Sequence, residues 1–265
     1  MLVLVVLAAA GAAVVAPYDP LAQHRQAFLQ PPAWVQTGSS EFLLGTDAAG
    51  RDLLSRILFG ARISLAFSAL VVVLAMVVGV SLGVASAFAR PLPAAAILRV
   101  IDVVQTVPVL LLALTVLVIL GPGEVPAILS LSIVLLPGFA RVARAATLAQ
   151  LGKDYALASR ALGGATGHLM LWVVLPNIGG PLVVQGTLAL SDAILGFAAL
   201  GFLGLGIAPP VPEWGTMLAE ARPYVLNAWW TVVVPGAAIL VTVLSLNLAA
   251  DGLRDVLDPK ATDRN

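Results

Sequence analysis

Six stretches of the chain are apolar enough to cross a lipid bilayer, and they restrict its fold more than any other feature. A span needs about 20 mostly apolar residues at a rise of about 1.5 Å each. Backbone polar groups in lipid must find partners within the protein, so each stretch is predicted to be a helix. The six stretches are Leu2–Ala16, Ile63–Ala89, Val100–Leu120, Val125–Ala140, Ile178–Leu200 and Trp229–Ala250.

The composition agrees with lipid as the main solvent of this chain. Only 11% of the residues are charged and the mean hydropathy is +1.02, whereas soluble domains carry about 25% charged residues. The chain has no cysteine and two histidines, which excludes disulfides and gives no metal site. A formal net charge of zero gives no sign of a nucleic-acid partner. We therefore predict an all-α polytopic membrane protein, with no catalytic residues of its own.

The spans divide the chain into four parts. Residues 1–16 are predicted to form the first transmembrane helix, or alternatively a signal peptide, and residues 17–62 an extracytoplasmic segment. Residues 63–250 form a core of five transmembrane helices, and residues 251–265 a C-terminal tail. Lysine and arginine are more frequent in the loops on one side, which places the tail and residues 153–176 in the cytoplasm.

The outer segment contains two glycines with the spacing of a phosphate-binding loop, Gly45 and Gly50. Arg51 stands where that motif needs lysine, and Asp52 replaces the hydroxyl that would hold magnesium, so nucleotide binding is not expected here. The apolar residues that follow have helical spacing and predict an amphipathic helix on the membrane surface before Ile63. Asp52 and Arg56, four residues apart, are expected to form an ion pair on it.

The second long polar segment, Lys153–Pro176, predicts two short helices joined by a glycine pair, Gly163 and Gly164. Small residues before the glycines would let a partner surface approach the backbone closely. The alternative is a hairpin that only connects two spans, and physical reasoning alone does not separate the two.

Polar residues inside spans often line a pathway. The candidates here are Gln185, Asp192 and Asn247. An ion-coupled secondary transporter or channel that uses Asp192 is therefore a second hypothesis for the function. Such folds often carry inverted repeats, and the two halves of this chain show no similarity.

The segment from Lys153 to Pro176 resembles the cytoplasmic "EAA" loop of binding-protein-dependent ABC permeases. Leu157 stands where that family usually has glutamate, so an ion pair from this position is not expected. The positions that match the family motif are Ala158, Ser159, Gly163, Val173, Leu175 and Pro176.

Three further segments are similar to the C-type subunits of dipeptide and oligopeptide permeases. The first runs from Leu44 to Leu65 and includes Gly45-Thr46-Asp47 and Gly50-Arg51-Asp52. The second combines Phe202-Leu203-Gly204 with Glu213-Trp214-Gly215, and the third is Asp251–Pro259. The matches occur in the family's order and cover most of the chain from Leu44 onward.

The resemblance implies a type I ABC importer permease fold with a cytoplasmic coupling helix. It implies a bacterial inner-membrane protein that pairs with a second permease subunit, with one or two ATPase subunits that bind ATP and magnesium, and with an extracytoplasmic binding protein. This chain would bind no cofactor itself. The implied ATPase-coupling residues are Asp154, Tyr155, Leu157, Ala158, Ser159, Arg160, Gly163, Gly164, Leu175 and Pro176. Asp47, Arg51, Asp52 and Trp214 are expected to face outward toward the binding protein or to lie at the membrane interface.

Overall fold

The computed structural model describes residues 1–257, and the motif residues Asp258 and Pro259 lie outside that range. A π-helical stretch (Leu169–Val174) and a 3₁₀ turn (Leu175–Ile178) lead into the ninth α-helix. The α-helices of the described part are α1 (Leu2–Ala10), α2 (Ala12–Val15), α3 (Leu53–Phe88), α4 (Pro91–Thr106), α5 (Val109–Leu120), α6 (Glu124–Leu151), α7 (Asp154–Ala161), α8 (Thr166–His168), α9 (Gly179–Phe202), α10 (Trp214–Ala221) and α11 (Trp230–Leu257).

Four helical segments within residues 1–257 are long and apolar enough to cross a membrane. They are α3, α6, the segment from Thr166 to the end of α9, and α11. Helices α4 and α5 would make a fifth span if the pair counts as one, although it bends by 98° at the break between them. The first predicted span consists of α1 and α2, which have 9 and 4 residues.

Two predicted elements differ from the structure. The stretch Val100–Leu120 is not one helix, because α4 ends before Val107 and Pro108, and a residue that precedes proline is restricted to extended backbone. The helix predicted before Ile63 is present, but it is the first part of α3, which runs without a break from Leu53.

One compact unit comprises Met1–Leu70, Val116–Ile128 and Ser191–Leu246. Its outer segment folds around Thr46, whose hydroxyl donates to the Ala27 carbonyl and accepts from the Gln30 amide. The Trp230 indole donates to the Thr46 carbonyl at 3.1 Å, so the start of α11 packs against this segment. These contacts give residues 17–52 a defined structure without regular helices or strands.

The second compact unit comprises Val71–Thr115, Leu129–Leu190 and the chain from Asn247 onward. Here α3 and α6 pack closely through two glycines. A Cβ atom at Gly79 would lie 2.7 Å from the Leu136 carbonyl oxygen, and one at Gly83 would lie 2.3 Å from that of Ala140. Larger residues would therefore force the two helix backbones apart.

Candidate functional site

The Lys153–Pro176 loop forms the helix, turn and second helical segment that its sequence predicts. Helix α7 ends at Ala161, and Gly163 follows it with φ of +82°, a conformation that favours glycine. The Gly164 amide donates to the Ser159 carbonyl at 2.9 Å and closes the turn. A Cβ atom at Gly164 would lie 2.7 Å from that same oxygen. The backbone conformation therefore favours glycine at position 163, and the lack of space for a side chain favours it at position 164.

One side of α7 fixes it to its own unit. Ala156 is fully buried in a cluster with Val84, Ala143, Leu169 and Val174. Because the alanine side chain is small, α7 packs closely against α3 and α6 at this position, and a larger side chain would prevent that contact.

A chain of hydrogen bonds also holds the loop. The Tyr155 hydroxyl donates to the Gln150 side chain at 2.6 Å, and the Gln150 amide donates to the Asn177 carbonyl at 3.0 Å. The residue at the end of α6 thus connects the start of α7 to the 3₁₀ turn before α9.

Large apolar side chains of the loop are exposed, beside charged ones such as Asp154 and Arg160. Leu157 is 50% exposed, Leu162 is 89% exposed and Trp172 is 74% exposed. Large apolar side chains left exposed on a folded loop are available to a partner or to lipid. We call Leu157, Leu162 and Trp172 the loop's apolar face.

A network of buried charges lies in the first unit. The Arg51 guanidinium forms a salt bridge with Asp47 at 2.6 Å and donates hydrogen bonds to both carboxylate oxygens of Glu220. The Arg56 guanidinium forms a salt bridge with Glu220 at 3.0 Å. A cavity of about 290 Å³ lies beside these groups. Burial lowers the pKa of Arg51, but the hydrogen bonds and charges of Glu220 and Asp47 outweigh it and raise that pKa above its usual value. Two arginines and two carboxylates therefore neutralise one another.

Asp52 and Arg56 do not form the ion pair that their spacing permits. The Asp52 carboxylate instead accepts the Ser55 amide at 2.8 Å and its hydroxyl at 2.7 Å, which caps the start of α3. Arg56 is then free to reach Asp47 and Glu220, which come from elsewhere in the sequence.

The four residues expected to face outward are inside this unit. Asp52 is 0% exposed, Trp214 is 1%, Arg51 is 5% and Asp47 is 8% exposed. The Trp214 indole donates to the Ile57 carbonyl, which packs α10 against α3. These side chains pack inside the unit, and their expected contact with a binding protein stays a prediction.

Glu213 is a structural residue that the sequence prediction did not single out. Its carboxylate caps α10 by accepting the Gly215 and Thr216 amides at 2.8 Å, and it also accepts the Ser64 hydroxyl at 3.3 Å. Burial raises the pKa of Glu213, although the hydrogen bonds from Gly215, Thr216 and Ser64 oppose the shift. An acidic residue directly before Trp214 is a helix-start signal that could have identified this role.

The three predicted pathway residues differ in exposure. Gln185 is half-buried beside Gly138, whereas Asp192 and Asn247 are exposed. Gln185 and Asn247 belong to the second unit and Asp192 to the first. Among residues 1–257, no group of three or more acidic or imidazole side chains could hold a metal ion.

A family model described as "binding-protein-dependent transport system inner membrane component" matches residues 75–263. The chain belongs to this family. The match begins inside α3 and includes the whole Lys153–Pro176 loop. The resemblance of the chain to binding-protein-dependent permeases is thereby confirmed.

Curated relatives narrow the subgroup of this permease. The Di/tripeptide transport system permease protein DppC of Pseudomonas aeruginosa (strain UCBPP-PA14) is 50% identical over 259 residues, which are 98% of this chain and 86% of that protein. The Dipeptide transport system permease protein DppC of Escherichia coli (strain K12) is 49% identical over 246 residues, 93% of this chain and 82% of that one. The resemblance to the C-type subunits of peptide permeases is confirmed.

Solved structures agree with the predicted permease fold. An inward-facing structure of the MetNI methionine ABC transporter matches with a TM-score of 0.63 and 20% identity, over 77% of this chain and 96% of that one. An amino acid ABC transporter with histidines matches with a TM-score of 0.55 and 15% identity, over 75% and 92% of the two chains. The expected type I ABC importer permease fold is confirmed.

Proposed function

We propose that this permease forms half of the translocation pathway of an ATP-driven importer for di- or oligopeptides. The other half is a second permease subunit, and an extracytoplasmic binding protein delivers the substrate. ATP and magnesium are bound by one or two partner ATPase subunits in the cytoplasm. The names of the relatives, a di/tripeptide and a dipeptide transport permease, support peptides as the substrate class.

The observation that carries the proposal is the geometry of the Lys153–Pro176 loop within this family. Its apolar face is exposed, while Ala156 and the hydrogen bonds of Tyr155 and Gln150 fix the loop to α6 and α9. An ATPase that binds the apolar face can therefore move two spans through a rigid contact. A nucleotide shifts the permease between two states only by its different affinity for them.

The chemistry of the docking contact differs from what most of the family uses. Leu157 is half-exposed and carries no charge, so the ATPase groove opposite it is expected to be apolar. The other proposed coupling residues lie around it on α7, at the turn, and at Leu175 and Pro176. Leu157→Glu should weaken ATPase binding, and Leu157→Met should preserve it because the volume and polarity are similar.

The experiment that tests the proposal is uptake of a labelled dipeptide by proteoliposomes that contain the purified complex. Uptake should require ATP and the binding protein, and a protonophore should leave it unchanged. Uptake that continues without ATP and stops with the protonophore would instead support the ion-coupled alternative that uses Asp192. The cytoplasmic position of the C-terminus is tested separately by protease access to a C-terminal tag in sealed vesicles of known orientation.

A further inference from the structure

The second compact unit contains a cavity of about 490 Å³ between α6, α9 and the end of α11. Small-molecule sites in proteins usually have volumes of about 300–1,000 Å³ and are mostly apolar with a few polar groups. This cavity has that character: its lining includes Val142, Pro181, Val184 and Leu188 and only two side chains with strong hydrogen-bonding groups, Gln185 and Arg254. It is distinct from the Lys153–Pro176 loop.

The first polar group is the Gln185 amide, which lies against α6 at a glycine and so has room there. Gly138 of α6 lies directly against it: a Cβ atom there would be 3.1 Å from the Gln185 amide nitrogen. An alanine at Gly138 would require the amide to shift by a few tenths of an ångström. A side-chain amide offers two donors and an acceptor, which is the complement of a peptide bond.

The second polar group is the Arg254 guanidinium in the last turns of α11. Arg254 is exposed, and no ion pair with another of residues 1–257 is formed by its guanidinium. A guanidinium binds a carboxylate through two parallel N–H bonds, with geometry that lysine does not reproduce. An arginine at the wall of a mainly apolar cavity therefore selects an anionic group on an otherwise neutral or apolar ligand.

We propose that this cavity is a transit site for the peptide within the permease. Arg254 binds the C-terminal carboxylate, the Gln185 amide bonds the peptide backbone, and the apolar walls accept side chains of different kinds. The site forms specific contacts only with the carboxylate and the backbone, which all short peptides share. It would therefore accept peptides of varied sequence. This inference rests on the proposed function, because it requires that the substrate be a peptide.

The absence of cysteine from the chain permits a direct test. Leu188→Cys places one thiol at the cavity wall, and the rate of its alkylation by a maleimide is measured in the complete complex. Alanyl-alanine at millimolar concentration should slow alkylation at least threefold, and alanyl-alanine amide, which lacks the carboxylate, should not. The protection should disappear with Arg254→Gln added and be weaker with Arg254→Lys.

Arg90→Gln is the matched control, since Arg90 is exposed in the same unit and does not line the cavity. It should leave protection by alanyl-alanine unchanged. Equal protection by the dipeptide and its amide would overturn the proposal, as would protection that persists in Arg254→Gln.

A phospholipid headgroup is the other anion that could reach Arg254. The alkylation rate is therefore compared in phosphatidylcholine vesicles with and without phosphatidylglycerol. A rate that falls with phosphatidylglycerol and is unaffected by alanyl-alanine identifies a lipid site and overturns the proposal. Failure here is distinguishable from failure of the proposed function: ATP-driven dipeptide uptake by the parent complex with no protection refutes the transit site alone.

Discussion

Neutralising Glu220 should destabilise the outer region far more than neutralising a comparable exposed carboxylate. Glu220 accepts three hydrogen bonds from two guanidinium groups, two from Arg51 at 2.9 and 3.0 Å and one from Arg56 at 3.0 Å. The Arg51 and Arg56 side chains are 6% and 1% exposed. Glu220→Gln would leave two buried positive charges opposite the single carboxylate of Asp47.

The expected magnitude follows from burial. Removing one partner of a buried ion pair costs about 3–5 kcal/mol. The Glu220 side chain is 28% exposed, so solvent screening reduces the cost below that range, to about 2–3 kcal/mol. For chains of this size that corresponds to a fall of roughly 5–10 °C in apparent melting temperature.

The assay is thermal unfolding of the purified complex in mild detergent, with Asp102→Asn as the matched control. Asp102 bonds Arg141 at 2.7 Å, but both side chains are about half exposed (52% and 51%). Exposed pairs contribute roughly 0–1 kcal/mol, so this variant should melt within about 4 °C of the parent. A Glu220→Gln variant that melts no lower than Asp102→Asn would refute the reasoning.

Three other substitutions test separate parts of the structure. Gly163→Pro should abolish dipeptide uptake while the complex assembles and still hydrolyses ATP, because proline fixes φ near −65° where the turn needs +82°. Gly163→Asn should keep uptake, since asparagine tolerates a positive φ. Loss of assembly in the proline variant would contradict the prediction. Gly83→Ala should lower the free energy of unfolding by about 1–3 kcal/mol, because the added methyl group would clash with the Ala140 carbonyl. The control Gly186→Ala should change it little, since an added methyl group there has no neighbour within 4 Å. Equal melting temperatures for the two variants would show that the packing around Gly83 relaxes freely. Because burial raises the pKa of Glu213 above its unfolded value, the folded state holds its proton more tightly, so stability from this group is present at low pH and is lost as pH rises through the folded pKa. Glu213→Gln should remove that part of the pH dependence of the melting temperature, and an unchanged profile would assign it to another group.

Local signals in the sequence were sufficient for the Lys153–Pro176 loop. Gly163 has the positive φ that its place after a short helix predicts, and the helix and turn lie where the residue pattern puts them. Pro108 is a local signal of the same kind and marks the break between α4 and α5, but the prediction of a single span there rested on the apolar run alone.

Long-range pairing could not be obtained from the sequence. Asp52 and Arg56 have the spacing of an ion pair, but Asp52 caps α3 and Arg56 bonds Glu220, which is 164 residues away. The spacing of charged residues along a helix shows which side chains could pair. It does not show which of several possible partners each side chain binds. For the same reason, the polar residues around Arg51 looked like a surface, although they are paired within the unit.

The central claim is that the Lys153–Pro176 loop binds the ATPase, and cysteine cross-linking tests it most directly. Leu157→Cys and Leu162→Cys each add one thiol to a chain that has none, and Leu226→Cys, at a site that is 93% exposed in the other unit, is the control. With a short thiol-to-amine cross-linker and the complete complex, the two loop variants should join to an ATPase subunit, and ATP should change the yield. Leu226→Cys should not join to it. No cross-link from either loop position, or an equal yield from Leu226→Cys, would contradict the claim.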